Sequence, residues 1–176
     1  MKRTIITAAL LLASFTSSAM TLTSQDIQEG SRMADTFAFN GFGCSGDNMS
    51  PHLSWKDVPA GTKSFAITAY DPDAPTGSGW WHWVALDIPA SVKSIEQGAS
   101  SKDLKAKQMK NDYGVTGFGG VCPPKGDGMH RYQFTVWAMP TEKLEIPQGA
   151  SNALIGFMLN ANALDKATLT ATYVNE

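Results

Sequence analysis

Hydrophobic and polar positions alternate with a period of two along four stretches of the chain. Ser64 to Asp71 groups Phe65, Ile67, Ala69 and Asp71 on one face. His82 to Ile88 groups His82, Val84, Leu86 and Ile88, and His130 to Ala138 groups His130, Tyr132, Phe134, Val136 and Ala138. Thr168 to Val174 brings Leu169, Ala171 and Tyr173 together. Such alternation, bounded by Pro, Gly and Asp turns, predicts half-buried β-strands. One stretch follows another rhythm. Between Ala150 and Lys166, the residues Leu154, Phe157, Met158, Ala161 and Leu164 recur at three and four. That spacing predicts a helix with Ser151 as N-cap and the apolar stripe packed on a sheet. A second, weaker helical piece is expected between Lys102 and Lys110.

The first residues read as an address. Met1-Lys2-Arg3 is a positive start, Ile5 to Ala13 a short apolar run, and Ser17-Ser18-Ala19 offers the small residues of a cleavage site. The expectation is a signal peptide over residues 1–19, a single domain over 20–176, and export to the periplasm or beyond. Removing Lys2 and Arg3 moves the net charge from −2 to −4. In an oxidising compartment a lone pair of cysteines becomes a disulfide, so Cys44 and Cys122 are expected to be bridged, against two separate buried thiols.

Composition narrows the field. With 176 residues, 43% hydrophobic and 17% charged, the chain suits one globular domain. Its mildly acidic balance offers no field to nucleic acid. Beyond the N-terminus no apolar run is long enough to span a membrane. Two Cys and three His, far apart, argue against a metal centre. Gly41-Phe42-Gly43-Cys44-Ser45-Gly46 matches a dinucleotide fingerprint, but no helix is expected to follow it. No G-x-S-x-G elbow is present.

Parity makes the sharpest functional argument. Asp71 closes one strand, His82 opens the next, and His130 and Tyr132 open a third. If the first two are antiparallel neighbours and the third runs with the second, an acid, two imidazoles and a phenol meet above an apolar floor. That describes a ligand pocket. The alternative is four separate strand-end residues, each satisfied on its own.

Asp71-Pro72-Asp73-Ala74-Pro75, Trp80-Trp81-His82-Trp83, and Pro123-Pro124-Lys125-Gly126 leading to His130-Arg131-Tyr132 resemble, in order and spacing, the signature of the phosphatidylethanolamine-binding proteins. That family includes the Raf kinase inhibitor protein. The resemblance runs from about Phe37 to Tyr173. It implies a large antiparallel sheet packed on a smaller one with peripheral helices, and a small pocket for phosphate-like anions. Residue by residue, it places Asp71, Pro75, Trp80, His82, Pro124, His130 and Tyr132 on that pocket. The reading also leaves room for a cis Ala74–Pro75 bond. Gly77-Ser78-Gly79 stands where animal members carry a longer loop with a pocket tyrosine, and no pocket-closing segment follows Tyr173. Both departures predict an open mouth.

The expected function is non-catalytic: a binding protein for a small anion or phosphorylated head group, needing no cofactor or metal. The alternative is an interaction or inhibitor module acting on an extracytoplasmic or host protein. Trp81 and Trp83, expected on the face opposite His82, suggest in addition a two-fold homodimer.

Overall fold

The computed structural model describes residues 19–99 and 104–176. The strands are β1 Thr21–Thr23, β2 Asn40–Gly41, β3 Cys44–Ser45, β4 Leu53–Lys56, β5 Ser64–Asp71, β6 Trp80–Pro89, β7 Ser94–Ile95, β8 Lys107–Gln108, β9 His130–Met139 and β10 Asp165–Tyr173, with a 3-10 helix at Asp35–Phe37 and helix α1 at Asn152–Asn162. The main sheet has the order β10-β9-β5-β6-β8, a smaller one the order β1-β4-β7, and β2-β3 is a separate hairpin. Every strand pair is antiparallel. β5 is therefore the centre of the large sheet, and β6 and β9 flank it in the same direction. This is the mostly-β architecture with a late helix that the patterning implied, with the large sheet packed on a smaller one that the family resemblance implied. No described helix is long and apolar enough to cross a membrane.

The core lies between the two sheets. Phe65, Ile67 and Ala69 of β5, Phe134 and Val136 of β9, and Leu169 and Ala171 of β10 meet Leu53 and Trp55 of β4 and Ile95 of β7. Trp55 and Phe65 pack edge to face at 5.2 Å. Burying each such side chain contributes about 1.5–3 kcal/mol. The other face of the large sheet carries Ala66, Val84, Leu86, Trp137 and Met139, covered by Ile155 and Leu159 of α1.

Strand β6 departs from simple alternation, and the reason is two bulges. Ala69 pairs with Trp83 but Tyr70 with Trp81, and Phe65 pairs with Ile88 but Ile67 with Ala85. Each irregularity adds a residue to β6 and resets its parity. Val84 and Leu86, expected beside His82, therefore face α1, while His82 and Ile88 remain on the inter-sheet side. Asp87 takes φ +61° at the second bulge, a conformation Asp tolerates.

Helix α1 also corrects the expectation. Ser151 caps it, accepting from the Leu154 amide at 3.2 Å. The buried positions are Ile155 and Leu159, however, whereas Leu154, Phe157 and Leu164 are exposed. The helix has no charged residue to mark its outer side, so either arc reads as apolar. Gly156 settles the orientation, because a Cβ there would strike the Trp81 ring. The helix stops at Asn162 because the chain turns directly into β10, where Leu164 donates to the Ala138 carbonyl. Of the piece expected over 102–110, residues 102 and 103 lie outside the described residues. Lys107–Gln108 forms edge strand β8 against Ala85 and Leu86.

The tryptophan seam is likewise filled from within. Trp83 is buried on the same side as His82, with its indole donating to Gln108 at 2.8 Å. Trp81 lies under α1 and against Tyr70. The structural motive for a dimer through these rings is thereby removed.

Candidate functional site

Asp71, the last residue of β5, is 2% exposed and organises the site. Its Oδ1 accepts from the amides of Asp73 and Ala74, at 2.8 and 3.1 Å, closing a turn over Pro72. Its Oδ2 accepts from His130 Nδ1 at 2.8 Å. The side-chain turn bends the chain, so Ala74–Pro75 needs no cis bond, and no peptide bond among the described residues is cis. Asp73 continues the anchor, accepting from the Arg131 backbone amide and from its guanidinium Nε and Nη2. The Arg131 hydrogen bond holds the Asp73 carboxyl down at about 2.

His130 lies between two carboxylates, with Nε2 3.2 Å from Asp127 Oδ2. His82 is different. Its Nδ1 lies 2.9 and 3.0 Å from the carbonyls of Gly119 and Gly120, so this nitrogen carries the proton. The neutral ring then leaves Nε2 as an acceptor, and that atom is buried without a partner. Burial pushes the His82 imidazole below its ordinary value, against the opposing pull of the Gly119 carbonyl and the Asp71 charge. The bulge aims this ring inward: His82 and Trp83 both oppose Ala69, and His82 meets Tyr132 edge to face at 5.1 Å.

These groups surround a pocket of about 170 Å³. Asp71, Pro75, Trp80, His82, Pro124 and His130 line it. Tyr132 stands behind His82, buried and outside the pocket lining. Burial and the Asp71 charge push its phenol far up, so it remains an O–H donor at any physiological pH. Six of the seven residues expected from the sequence thus line one pocket, and Tyr132 lies one layer behind it.

The sequence reading missed Phe42, Thr76 and Tyr113, which also line the pocket. Tyr113 lies between Trp80 and His82 on one side and Phe39 and Phe42 on the other, stacking on Phe39 at 4.1 Å. Its hydroxyl donates to the Gly120 carbonyl at 3.2 Å. An aromatic ring thus stands beside the pocket even though the connection after Pro75 is short. Tyr113 sits in a turn held by Asn111, where no strand parity marks it; its one cue is an aromatic residue inside a Gly/Asn-rich stretch.

Cys44 and Cys122 are bridged, with Cα atoms 6.0 Å apart. Cys122 lies on the pocket wall, and Cys44 opens β3, so Gly41–Gly46 is a hairpin region stapled to the site. His52, in the loop just before β4, is buried, and its Nδ1 accepts from the Gln25 amide.

A two-sheet scaffold holding a small pocket of buried acid, imidazole and phenol defines a class of binding fold. The chain belongs to the phosphatidylethanolamine-binding protein family, whose profile matches residues 23–174. The protein YbcL of Escherichia coli K12 is 48% identical over 180 residues, covering 98% of each chain. YbhB of the same organism is also 48% identical, over 88% of this chain and 99% of its own. The crystal structure of E. coli YbcL, described as a new member of the mammalian family, superposes with a TM-score of 0.84, covering 90% of this chain and 100% of that one. A carboxypeptidase Y inhibitor, solved with its cognate proteinase, shares the fold at TM-score 0.57 and 17% identity, over 91% of this chain and 84% of its own.

Proposed function

We propose that the chain is an exported, non-catalytic binding protein whose pocket takes a phosphate-like group, free or as the head of a larger molecule. One observation carries this reading. His82 Nε2 and Trp80 Nε1 are buried polar atoms without protein partners on the wall of one small pocket. Leaving such groups unpaired costs about 1–3 kcal/mol each, which a complementary ligand recovers. The indole donates, and the imidazole nitrogen accepts when neutral. A hydrogen phosphate or phosphomonoester matches that set, offering several acceptor oxygens and one acidic proton. Ser78, the serine nearest to Asp71 and His82 in sequence, sits in a Gly-flanked turn with its carbonyl accepting from Tyr70. Export rests on the leader-like residues 1–19.

The pH dependence has a definite sign. Free His82 resists protonation, and a bound phosphate dianion favours it. Affinity is therefore expected to rise as pH falls from 8 towards 5.5, with proton uptake on binding. Calorimetry with inorganic phosphate and a phosphomonoester, in buffers of different ionisation heat, measures both. His82→Ala is expected to weaken binding about 10–100-fold, the value of a charge-assisted hydrogen bond. No binding, or an affinity indifferent to pH and to His82→Ala, would sink the reading.

An inhibitor role is the second reading. It draws on the fold shared with the carboxypeptidase Y inhibitor and on Phe42, an exposed aromatic ring at the pocket. Co-purification of a stoichiometric protease or kinase, with no effect of phosphate, would favour it.

A further inference from the structure

We propose that Asp165 is the counter-ion of a new chain end, created when the leader is removed after Ala19. This rests on reading residues 1–19 as a cleaved leader and concerns what the fold does with the product. Ala19 is exposed, whereas the next residue, Met20, is 4% exposed and belongs to the core between the sheets. Met20 N already lies 2.9 Å from Asp165 Oδ2. The other oxygen, Oδ1, accepts from the Lys166 amide at 2.8 Å and orients the carboxylate.

Hydrolysis by a signal peptidase changes the chemistry of that contact. Water adds across the Ala19–Met20 amide. The carbonyl carbon takes the hydroxyl and leaves with the leader as a carboxylate, and the Met20 nitrogen becomes an amine that takes up the released proton. An amide hydrogen bond thereby becomes an ammonium–carboxylate pair without moving either atom far.

Nothing else in the vicinity fills that role. Among the described residues Asp165 has no ion pair with a side chain. Lys166 sends its ammonium to Asn160 at 2.7 Å and over the Trp137 ring. Lys56, opposite Thr21, is exposed, and Asp57 lies 3.5 Å from Thr21 Oγ1. A half-buried carboxylate with one missing cation suits an ammonium fixed in place by a buried neighbouring side chain. Such charge-assisted contacts are about twice as strong as neutral ones. Processing would then complete the structure and tie β1 to the start of β10.

The test compares two oxidised chains, one beginning at Met20 and one retaining Ala19, each with and without Asp165→Asn. Asparagine still accepts from an amide but carries no charge. In the Met20 chain the substitution is expected to lower the melting temperature by about 2–6 °C, and in the Ala19 chain by about 1 °C or less. The α-amino group of the Met20 chain, followed by NMR titration, is expected to titrate above its ordinary range of about 7.7–8.0 and to return there in Asp165→Asn. Equal melting shifts in the two chains, or an unshifted amine, would overturn the ion pair. Intact mass of the exported protein checks the leader separately. A terminus at Met20 supports the proposal, and any other terminus overturns the leader reading and the proposal's place in the natural protein, whatever the prepared chains show.

Discussion

The strands of the large sheet end in two cavities of opposite character. At one end, Asp71, His82 and His130 enclose about 170 Å³ between aromatic and proline walls. At the other lies an open cleft of about 690 Å³, bordered by Lys63, Lys105, Lys107, Lys143, Asp87, Glu142 and Glu145. The larger space is the poorer candidate. Its lysines and glutamates are exposed and of both signs, so water and salt already satisfy them. The smaller space holds polar atoms that the protein leaves unpaired. Unmet hydrogen-bonding capacity, rather than volume, marks the place where a ligand gains free energy.

The sharpest way to break this contrast is to loosen the pocket wall. The Cys44–Cys122 bridge closes a loop of sequence separation 78, for which chain entropy allows about 4–5 kcal/mol. Replacing both cysteines by serine is expected to cost about 3–4 kcal/mol in urea denaturation, together with weakened phosphate binding. An unchanged midpoint would mean that the hairpin is held by its other contacts. Next in size is Tyr113→Ala, which removes the ring between Phe39 and Trp80. A loss of about 2–4 kcal/mol is expected for such a buried aromatic, with Tyr113→Phe nearly neutral. Equal losses from both substitutions would place the value of Tyr113 in its hydroxyl. Smallest is the control at the far end: Lys143→Ala is expected to change stability by about 0.5 kcal/mol or less and phosphate affinity by less than about twofold. A larger effect on phosphate would move the anion site to the open cleft.

What was legible in the sequence follows from which segments are regular. β5, β9 and β10 keep one parity throughout, so their inward residues could be read directly, Asp71, His130 and Tyr132 among them. β6 could not, because Trp80 to Ile88 is rich in apolar residues on both sides and conceals two extra positions. His82 was found because it stands where a motif and a strand start coincide, though its orientation depends on the bulge. Tyr113 and Phe42 come from turns, where side-chain direction is set by tertiary packing rather than by a repeat. The helix was recognised but its buried arc was not, since with no charge on α1 the larger side chains defined the pattern. Only the close approach of Gly156 to Trp81 distinguishes the two arcs.

The bulge at His82 bears on how such a site arises. Removing His82 would leave Trp80, Trp81, Trp83, Val84 and Ala85 in unbroken alternation, each on the face it now occupies. His82 is thus the extra position of the strand, and what it adds is a clamp on the Gly119–Gly120 segment and on Asn111 rather than a step in the sheet's alternation. A pocket-lining group of this kind can enter a fold by insertion of a single codon, with no existing core residue exchanged. Its neighbours are then free to remain what packing requires.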